Sequence, residues 1–270
     1  MTGGASRPPS FSARRTVLGS PWTYRLIVLA VVATAWEVYA SRAKLLLVPT
    51  FSGTVRGIGQ LIVDPAVWRA FLISNQALVI GFSIAVALGI VLGLTAARFR
   101  RIEGLVDPYL SILLVTPMAA LIPILIMSFG IQSLAARVVL VVVFAIPVVI
   151  VNSRAGVRQV DPTLIEMATS FGAGEREIWR KILLPGALPA IMTGVRLGLG
   201  RAVTGMVIIE LLMVAAGIGG LILRYQGQFE AGLLYGVVVL VVLEALVLVS
   251  LIRAIERRLA PWTGQTVLRE

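Results

Sequence analysis

Ionisable side chains inside long apolar stretches are the first residues whose chemistry needs an explanation. Arg196, Arg201, Glu210 and Glu244 all interrupt stretches of this kind. A charge at the centre of a bilayer costs about 2.5–3.5 kcal/mol on insertion scales, so such a group faces protein or water and often marks the route of a solute. For Glu210, a polar pathway or gate and a structural interhelical hydrogen bond are both open. Arg196 and Glu244 favour structural roles.

The chain lacks the side chains that most catalytic chemistry needs. It has no cysteine and no histidine, which excludes disulfides, thiol nucleophiles, the usual zinc sites and imidazole acid–base chemistry. The glycines within 217–220 are not followed by the lysine of a phosphate-binding loop. We therefore predict that the chain is not an enzyme and holds no cofactor. If ATP hydrolysis drives the activity of this chain, a partner protein must bind and hydrolyse the nucleotide.

A charged segment at 152–187 separates two of the apolar stretches. Forcing it across a membrane would cost roughly 20–30 kcal/mol at the per-residue cost given above, so it must lie outside the lipid. Its nine charges are Arg154, Arg158, Asp161, Glu166, Glu175, Arg176, Glu177, Arg180 and Lys181.

The local sequence of 161–185 predicts two short helices joined by a glycine turn, which we call the finger. Asp161 is a good N-cap, and Pro162 fits the first helical position. Gly172 can adopt the left-handed conformation that ends a helix. A second helix runs over 175–184 with one apolar face, and Pro185 stops it. Such a finger suits docking into a cleft of a soluble partner, although an ordinary solvated loop is the alternative.

The elements around the finger are those of an all-α membrane protein. Apolar residues make up 58% of the 270 and charged residues only 14%, against about 25% charged in a soluble domain. The third span contains three prolines and should be kinked or interrupted, and Gly89 with Gly93 should permit close helix packing in the second. The six predicted spans are 23–41, 71–97, 105–127, 134–151, 189–214 and 233–252.

Lysine and arginine concentrate on one side of this topology, which places both termini and the finger in the cytoplasm. The net charge of +11 therefore marks a membrane face and does not indicate nucleic acid. We divide the chain into a flexible basic cytoplasmic tail (1–22), a first transmembrane helix with an outer connecting segment (23–70), a core transmembrane domain (71–255, containing the finger) and a second cytoplasmic tail (256–270). A short surface helix is expected near 55–62.

The finger carries a family resemblance. Its residues fit the spacing E-A-A-x3-G-x9-I-x-L-P, with Met167 in place of the first alanine. The finger thus resembles the signature loop of inner-membrane permease subunits of binding-protein-dependent ABC importers. The third span (Pro117, Pro123) and the fifth (Arg196, Glu210) resemble the nitrate/sulfonate/taurine branch. The matching finger residues are Glu166, Ala168, Gly172, Ile182, Leu184 and Pro185.

The resemblance implies a type I ABC importer permease fold with cytoplasmic coupling helices, in the bacterial inner membrane. It implies a homodimer that works with two cytoplasmic ATPase subunits and an extracytoplasmic solute-binding protein, and that moves a small anionic solute of the nitrate, sulfonate or taurine type. An ion-gradient-driven carrier or channel and a membrane scaffold are the rival functions. The expected ATPase-coupling residues are Glu166, Ala168, Ser170, Phe171, Gly172, Ala173, Gly174 and Glu175. The expected translocation path or gate residues are Pro117, Pro123, Arg196, Arg201 and Glu210.

Overall fold

The computed structural model describes residues 21–43, 45–131, 133–214 and 216–259, and these are helical apart from short connections. The predicted basic tails, 1–22 and 256–270, lie almost wholly outside the described residues. The helices are α1 (Pro21–Ala43), α2 (Phe51–Val63), α3 (Pro65–Arg98), α4 (Arg100–Val115), α5 (Ile122–Phe129), α6 (Leu134–Arg158), α7 (Pro162–Ser170), α8 (Glu175–Ile178), α9 (Leu184–Ile209), α10 (Gly217–Gly227) and α11 (Ala231–Leu259).

The predicted count of six spans is approximately supported by the described residues. Five helical stretches are each long and apolar enough to cross a membrane, and α4 with the following 3-10 turn and α5 makes a sixth if the bent pair is one span. The helices extend beyond the predicted ends. For example, α3 begins six residues early because the Asp64 side chain accepts a hydrogen bond from the Ala66 backbone N–H, so Asp64 caps the helix in front of Pro65.

The predicted interruption of the third span is also confirmed. Two short helices flank a break at Thr116 and Pro117, and they are bent by 99° relative to each other. Pro117 has no N–H to continue α4, and a residue before proline is driven to extended backbone. Thr116 has ψ 130° accordingly. A 3-10 turn, Met118–Leu121, then leads into α5.

The predicted stop at Pro185 and the predicted start of the fifth span at Pro189 were both wrong. Helical structure runs unbroken from Glu175 through α8, a π-helical stretch (Trp179–Leu183), α9 and a second π-helical stretch (Glu210–Val214). Pro185 follows the first π-helical stretch. Because the hydrogen-bond register shifts there, the helix does not need the backbone N–H that proline lacks. The second helix of the finger and the fifth span are therefore one continuous rod.

The core is a close stack of α3, α6 and α9. Glycines permit the approach: a Cβ added at Gly89 would lie 2.8 Å from the Val149 side chain, and one at Gly93 only 2.6 Å from the Ile150 carbonyl oxygen. This confirms the predicted small-residue pair. The predicted surface helix is α2, which packs on α11, and a Cβ at Gly57 would meet the Gly232 carbonyl at 2.5 Å. The apolar side chains of α1 are mostly exposed.

Candidate functional site

From Asp161 through the glycine turn, the finger has the geometry that its sequence predicts. The Thr163 backbone N–H donates to the Asp161 carboxylate at 2.9 Å, and this bond lowers the pKa of the Asp161 carboxyl below its ordinary value. Gly172 has φ 82°, and the Ala173 N–H donates back to the Ala168 carbonyl at 2.9 Å. The turn is therefore closed by backbone bonds around one left-handed glycine.

The tip of the finger is exposed and its base is buried. Phe171 is 86% exposed, and Ser170, Gly172 and Gly174 are also exposed. Ala168 and Ala173 are half-buried and pack against apolar residues of the core. At the base, the apolar face of the second helix is buried as predicted: Ile178 is 4% and Leu183 1% exposed. The finger is thus a projecting tip on an anchored base.

A groove of about 490 Å³ lies between α7 and the first π-helical stretch. Its walls are mostly apolar, and the Lys181 side chain is at its edge. The walls come from both arms of the finger, so the groove belongs to the finger itself. The lining residues are Gln159, Val160, Asp161, Leu164, Met167, Ala168, Lys181, Ile182, Pro185 and Gly186.

An ion pair ties the finger to the end of α3. Arg98 donates to both carboxylate oxygens of Glu175, at 2.8 and 3.0 Å, in the two-pronged geometry that arginine favours. Glu175 therefore has a partner within its own chain. Glu166 differs: its side chain is exposed, and within the described residues the structure shows no hydrogen bond or ion pair from its carboxylate. That carboxylate remains available to another molecule.

A second charged cluster lies at the same end of the bundle. Arg154 pairs with Asp107 and lies 3.8 Å from Glu103, and Arg158 also pairs with Glu103. These contacts join the first turns of α4 to the last turns of α6, directly before the finger. These ion pairs therefore hold α6, the helix that leads into the finger, against α4.

A cavity of about 380 Å³ lies at the break in the third span. It brings together Pro117 and Arg201, two of the residues expected on the translocation path. Arg201 is exposed, and among the described residues the structure shows no ion-pair or hydrogen-bond partner for its guanidinium. Pro123 is exposed and does not line this cavity. The lining residues are Leu113, Leu114, Thr116, Pro117, Met118, Ala119, Phe144, Pro147, Val148, Arg201 and Ile208.

Glu210 lies at the opposite end of the rod from the finger and is fully buried. Both of its carboxylate oxygens are 2.7 Å from the Ser74 hydroxyl, and the Gly219 N–H donates to one of them at 3.1 Å. The Arg137 guanidinium is 3.8 Å away. Of the two roles left open for Glu210, this geometry matches the interhelical hydrogen bond, because the carboxylate joins α3, α6 and α10 at the start of the second π-helical stretch.

The other intramembrane charges also have partners. Arg196 donates to Glu256 at 2.7 Å and to the Thr193 hydroxyl at 3.3 Å, so it joins α9 to the end of α11. Glu244 accepts a hydrogen bond from Asn75. Both contacts fit the structural roles that the sequence favours for Arg196 and Glu244. Arg201 therefore differs from these neighbours in having no partner among the described residues.

Two important residues were missed by the sequence analysis. Arg137 lies near the start of the predicted fourth span, where the sequence analysis assigns it no role, yet it is 8% exposed and donates to the Ile73 carbonyl at 3.2 Å. Ser74 appeared to be one small polar residue among many, yet it bonds both Glu210 and the Ile218 N–H. The only signal in the sequence was that a buried carboxylate needs donors, which does not say where they are.

The fold and site together define a membrane-spanning helical protein that carries a projecting finger after α6. Residues 85–262 match the family described as the binding-protein-dependent transport system inner membrane component, and the chain belongs to that family. It is therefore an inner-membrane permease subunit of an ABC importer, and ATP hydrolysis resides in a separate subunit.

Individual relatives support this assignment. The taurine transport system permease protein TauC of Escherichia coli K12 is 29% identical over 90% of both chains. The putative aliphatic sulfonates transport permease protein SsuC of the same organism is 31% identical over 84% of both. A solved structure of the MetNI methionine ABC transporter, in an inward-facing conformation, superposes with a TM-score of 0.53 at 25% identity, covering 75% of this chain and 95% of that one.

Proposed function

We propose that this permease moves a small organic anion of the sulfonate type, and that a partner ATPase drives it through the finger. The observation that carries the proposal is the unbroken rod from Glu175 to Val214. One end of that rod is an exposed docking surface, and its middle carries Arg201 in the cavity at the helix break. Because the rod has no flexible joint between the finger and the cavity, displacement of the finger moves a wall of the cavity.

The tip of the finger supplies the proposed ATPase contact. A phenylalanine as exposed as Phe171 suits insertion into a partner's pocket, since exposed aromatic anchors dominate many interfaces. Gly172 and Gly174 let the partner approach the backbone, and Ser170 adds a hydroxyl. Glu166, on the preceding helix, offers an unpaired carboxylate to an arginine or lysine of the ATPase.

Glu175 has a different part in this proposal. Because Arg98 engages both of its oxygens, it holds the finger to α3 while the tip is pushed. Ala168 and Ala173 pack inside the finger and support its shape. The buried Ile178 and Leu183 then pass displacement into the core, as close-packed side chains do.

The proposed path runs through the cavity beside Pro117 and Arg201. In the single chain this cavity opens to the surface, where Leu114 is 58% exposed. A second copy of the chain would cover that opening, so we place the path between two permease copies. Two ATPase subunits on the finger side and a solute-binding protein on the side of α10 complete the assembly. The orientation, with both termini cytoplasmic, rests on the distribution of lysine and arginine.

The substrate class comes from the relatives. TauC is described as a taurine permease and SsuC as a putative aliphatic sulfonates permease, and both substrates carry a sulfonate. The lone cation of the cavity is compatible with such a group. Arg196 and Glu210 have partners inside the chain, and we give them supporting roles around the path.

Reconstitution into liposomes tests this function. The permease, its ATPase and its binding protein should accumulate an alkanesulfonate only when ATP is supplied on the finger side. The permease alone should be inert. A gradient-driven carrier would instead move solute without the ATPase, and flux of that kind would contradict the proposal.

A cross-linking experiment tests the finger contact directly. Because the chain contains no cysteine, Phe171→Cys introduces a single thiol at the tip without further engineering. A short thiol-reactive cross-linker should join it to the ATPase in the assembled complex. Phe229→Cys is the matched control, since Phe229 is also exposed (58%) but lies at the other end of the bundle; it should not cross-link to the ATPase.

A further inference from the structure

Arg201 lies at the middle depth of the helical bundle. Gly198 of α9 packs against Val149 of α6, and Gly205 packs against Phe144, so Arg201 lies level with the centre of α6. An arginine at that depth is tolerated only when it faces protein groups or water. Because the described residues give it no acidic or carbonyl partner, its guanidinium faces the cavity.

The chemistry of the cavity is one-sided. Among the described residues that line the cavity, Arg201 is the single ionisable side chain, and none of them supplies a carboxylate to balance it. The Thr116 hydroxyl already donates to the Ile112 carbonyl at 2.7 Å. The other walls are apolar side chains such as Leu113, Phe144 and Ile208. The site therefore offers one cation and a short apolar surface.

We propose that this cavity selects its solute by charge, taking unaminated alkanesulfonates and discriminating against aminosulfonates such as taurine. A guanidinium pairs in two-pronged fashion with a sulfonate, and the apolar walls accommodate a short alkyl chain. An ammonium on that chain would find no acid among the lining residues and would lie near a fixed positive charge. Leaving the ammonium of a competing solute without a partner lowers the affinity for that solute, and this difference in affinity is the source of the selection.

This inference rests on the function proposed above and narrows it. The two relatives do not distinguish the substrates, because one is described as a taurine permease and the other as an aliphatic sulfonates permease at similar identity. A second copy of the chain would add another set of the same residues to the path. It would bring a second Arg201 and no carboxylate, so the selection by charge would be strengthened.

Arginine labelling tests the selection without help from the binding protein. The purified permease–ATPase complex is treated with phenylglyoxal, which modifies accessible guanidinium groups, and the modified peptides are quantified by mass spectrometry. The probes are sodium ethanesulfonate, taurine and ethylammonium chloride, with sodium chloride at equal ionic strength as the reference. Arg253, exposed near the end of α11, is the internal control within each sample.

Ethanesulfonate should protect Arg201, and at about ten times its Kd labelling should fall about tenfold by mass action. Taurine should need about a tenfold higher concentration for half-protection, and ethylammonium should not protect. Labelling of Arg253 should stay constant. Equal protection by taurine, protection by none of the probes, or an Arg201 that the reagent does not reach would each overturn the inference.

The same preparation distinguishes this inference from the proposed function. Stimulation of ATP hydrolysis by the solute-loaded binding protein reports the importer mechanism alone. If stimulation is present while taurine and ethanesulfonate protect equally, only the charge selection is wrong. If Arg201 is protected as expected while no stimulation occurs, the ATP-driven mechanism is wrong and the anion site stands.

Discussion

Replacing Glu210 with alanine should destabilise the protein rather than block a pathway. The substitution removes the acceptor of the Ser74 hydroxyl and the Gly219 N–H and leaves the buried guanidinium of Arg137 without its carboxylate. Loss of one member of a buried ion pair costs about 3–5 kcal/mol. For a chain of this size that free energy corresponds to a fall in Tm of roughly 6–20 °C.

Thermal unfolding of the detergent-purified permease, followed by circular dichroism, measures this effect. Glu210→Gln is the control, because the amide keeps the size of the side chain and an acceptor oxygen but removes the charge beside Arg137, so its Tm should fall less than that of Glu210→Ala. The double variant Arg137→Met with Glu210→Met should recover much of the lost stability, because replacing both members of a buried pair with apolar groups is often neutral. The reasoning is refuted if Glu210→Ala unfolds like the wild type yet transports nothing, since that result would make Glu210 part of the path.

Three further predictions test other parts of the structure. Gly172→Asp should strain the turn, where φ is 82°, and should therefore uncouple ATP hydrolysis from uptake in liposomes. Membrane insertion, measured by immunoblot, should be unchanged. Wild-type uptake by this variant would count against the finger's role. Gly93→Ala should lower Tm by several degrees because its Cβ would lie 2.6 Å from a carbonyl oxygen. Gly104→Ala, which has open space around it, should instead raise the free energy of unfolding by up to about 1 kcal/mol. Equal effects of the two substitutions on stability would contradict the packing. Glu175→Gln should lower the uptake per ATP hydrolysed, and an unchanged ratio would show that the Arg98 contact does not matter for coupling.

The parts of the fold that the sequence predicts well depend on local or single-helix physics. Six apolar stretches, the capped start of α7 at Asp161, the left-handed Gly172 and the break at Pro117 follow from side-chain and backbone preferences that act within a few residues. The family resemblance of the finger is equally local, because it depends on residue spacing in one segment.

The parts that the sequence could not predict depend on register or on distant partners. Pro185 is a helix breaker in most settings, but the π-helical stretch before it removes the need for its N–H. Ser74 and Glu210 are far apart in sequence, so nothing local shows that they touch. The pairing of Arg196 with Glu256 emerges only when α9 and α11 are placed side by side. The lack of a partner for Arg201 among the described residues likewise depends on the tertiary packing.

The same limitation applied to the functional residues. The sequence placed Arg196, Arg201 and Glu210 together as path candidates because all three interrupt the fifth span. The structure gives them different surroundings: Glu210 is buried in hydrogen bonds, Arg196 pairs with a neighbouring helix, and Arg201 lines a cavity. Hydropathy reports that a charge lies in an apolar run, but only tertiary packing decides whether that charge meets a partner or an open space.

The sidedness of the finger tests the central claim most directly. In intact cells, a membrane-impermeant maleimide should label Phe229→Cys readily and leave Phe171→Cys unlabelled until the membrane is permeabilised. After permeabilisation, bound ATPase should protect Phe171→Cys, and stripping the ATPase from the membranes should restore labelling. Labelling of Phe171→Cys from outside intact cells, or labelling that is indifferent to the ATPase, would contradict a cytoplasmic finger that drives this permease.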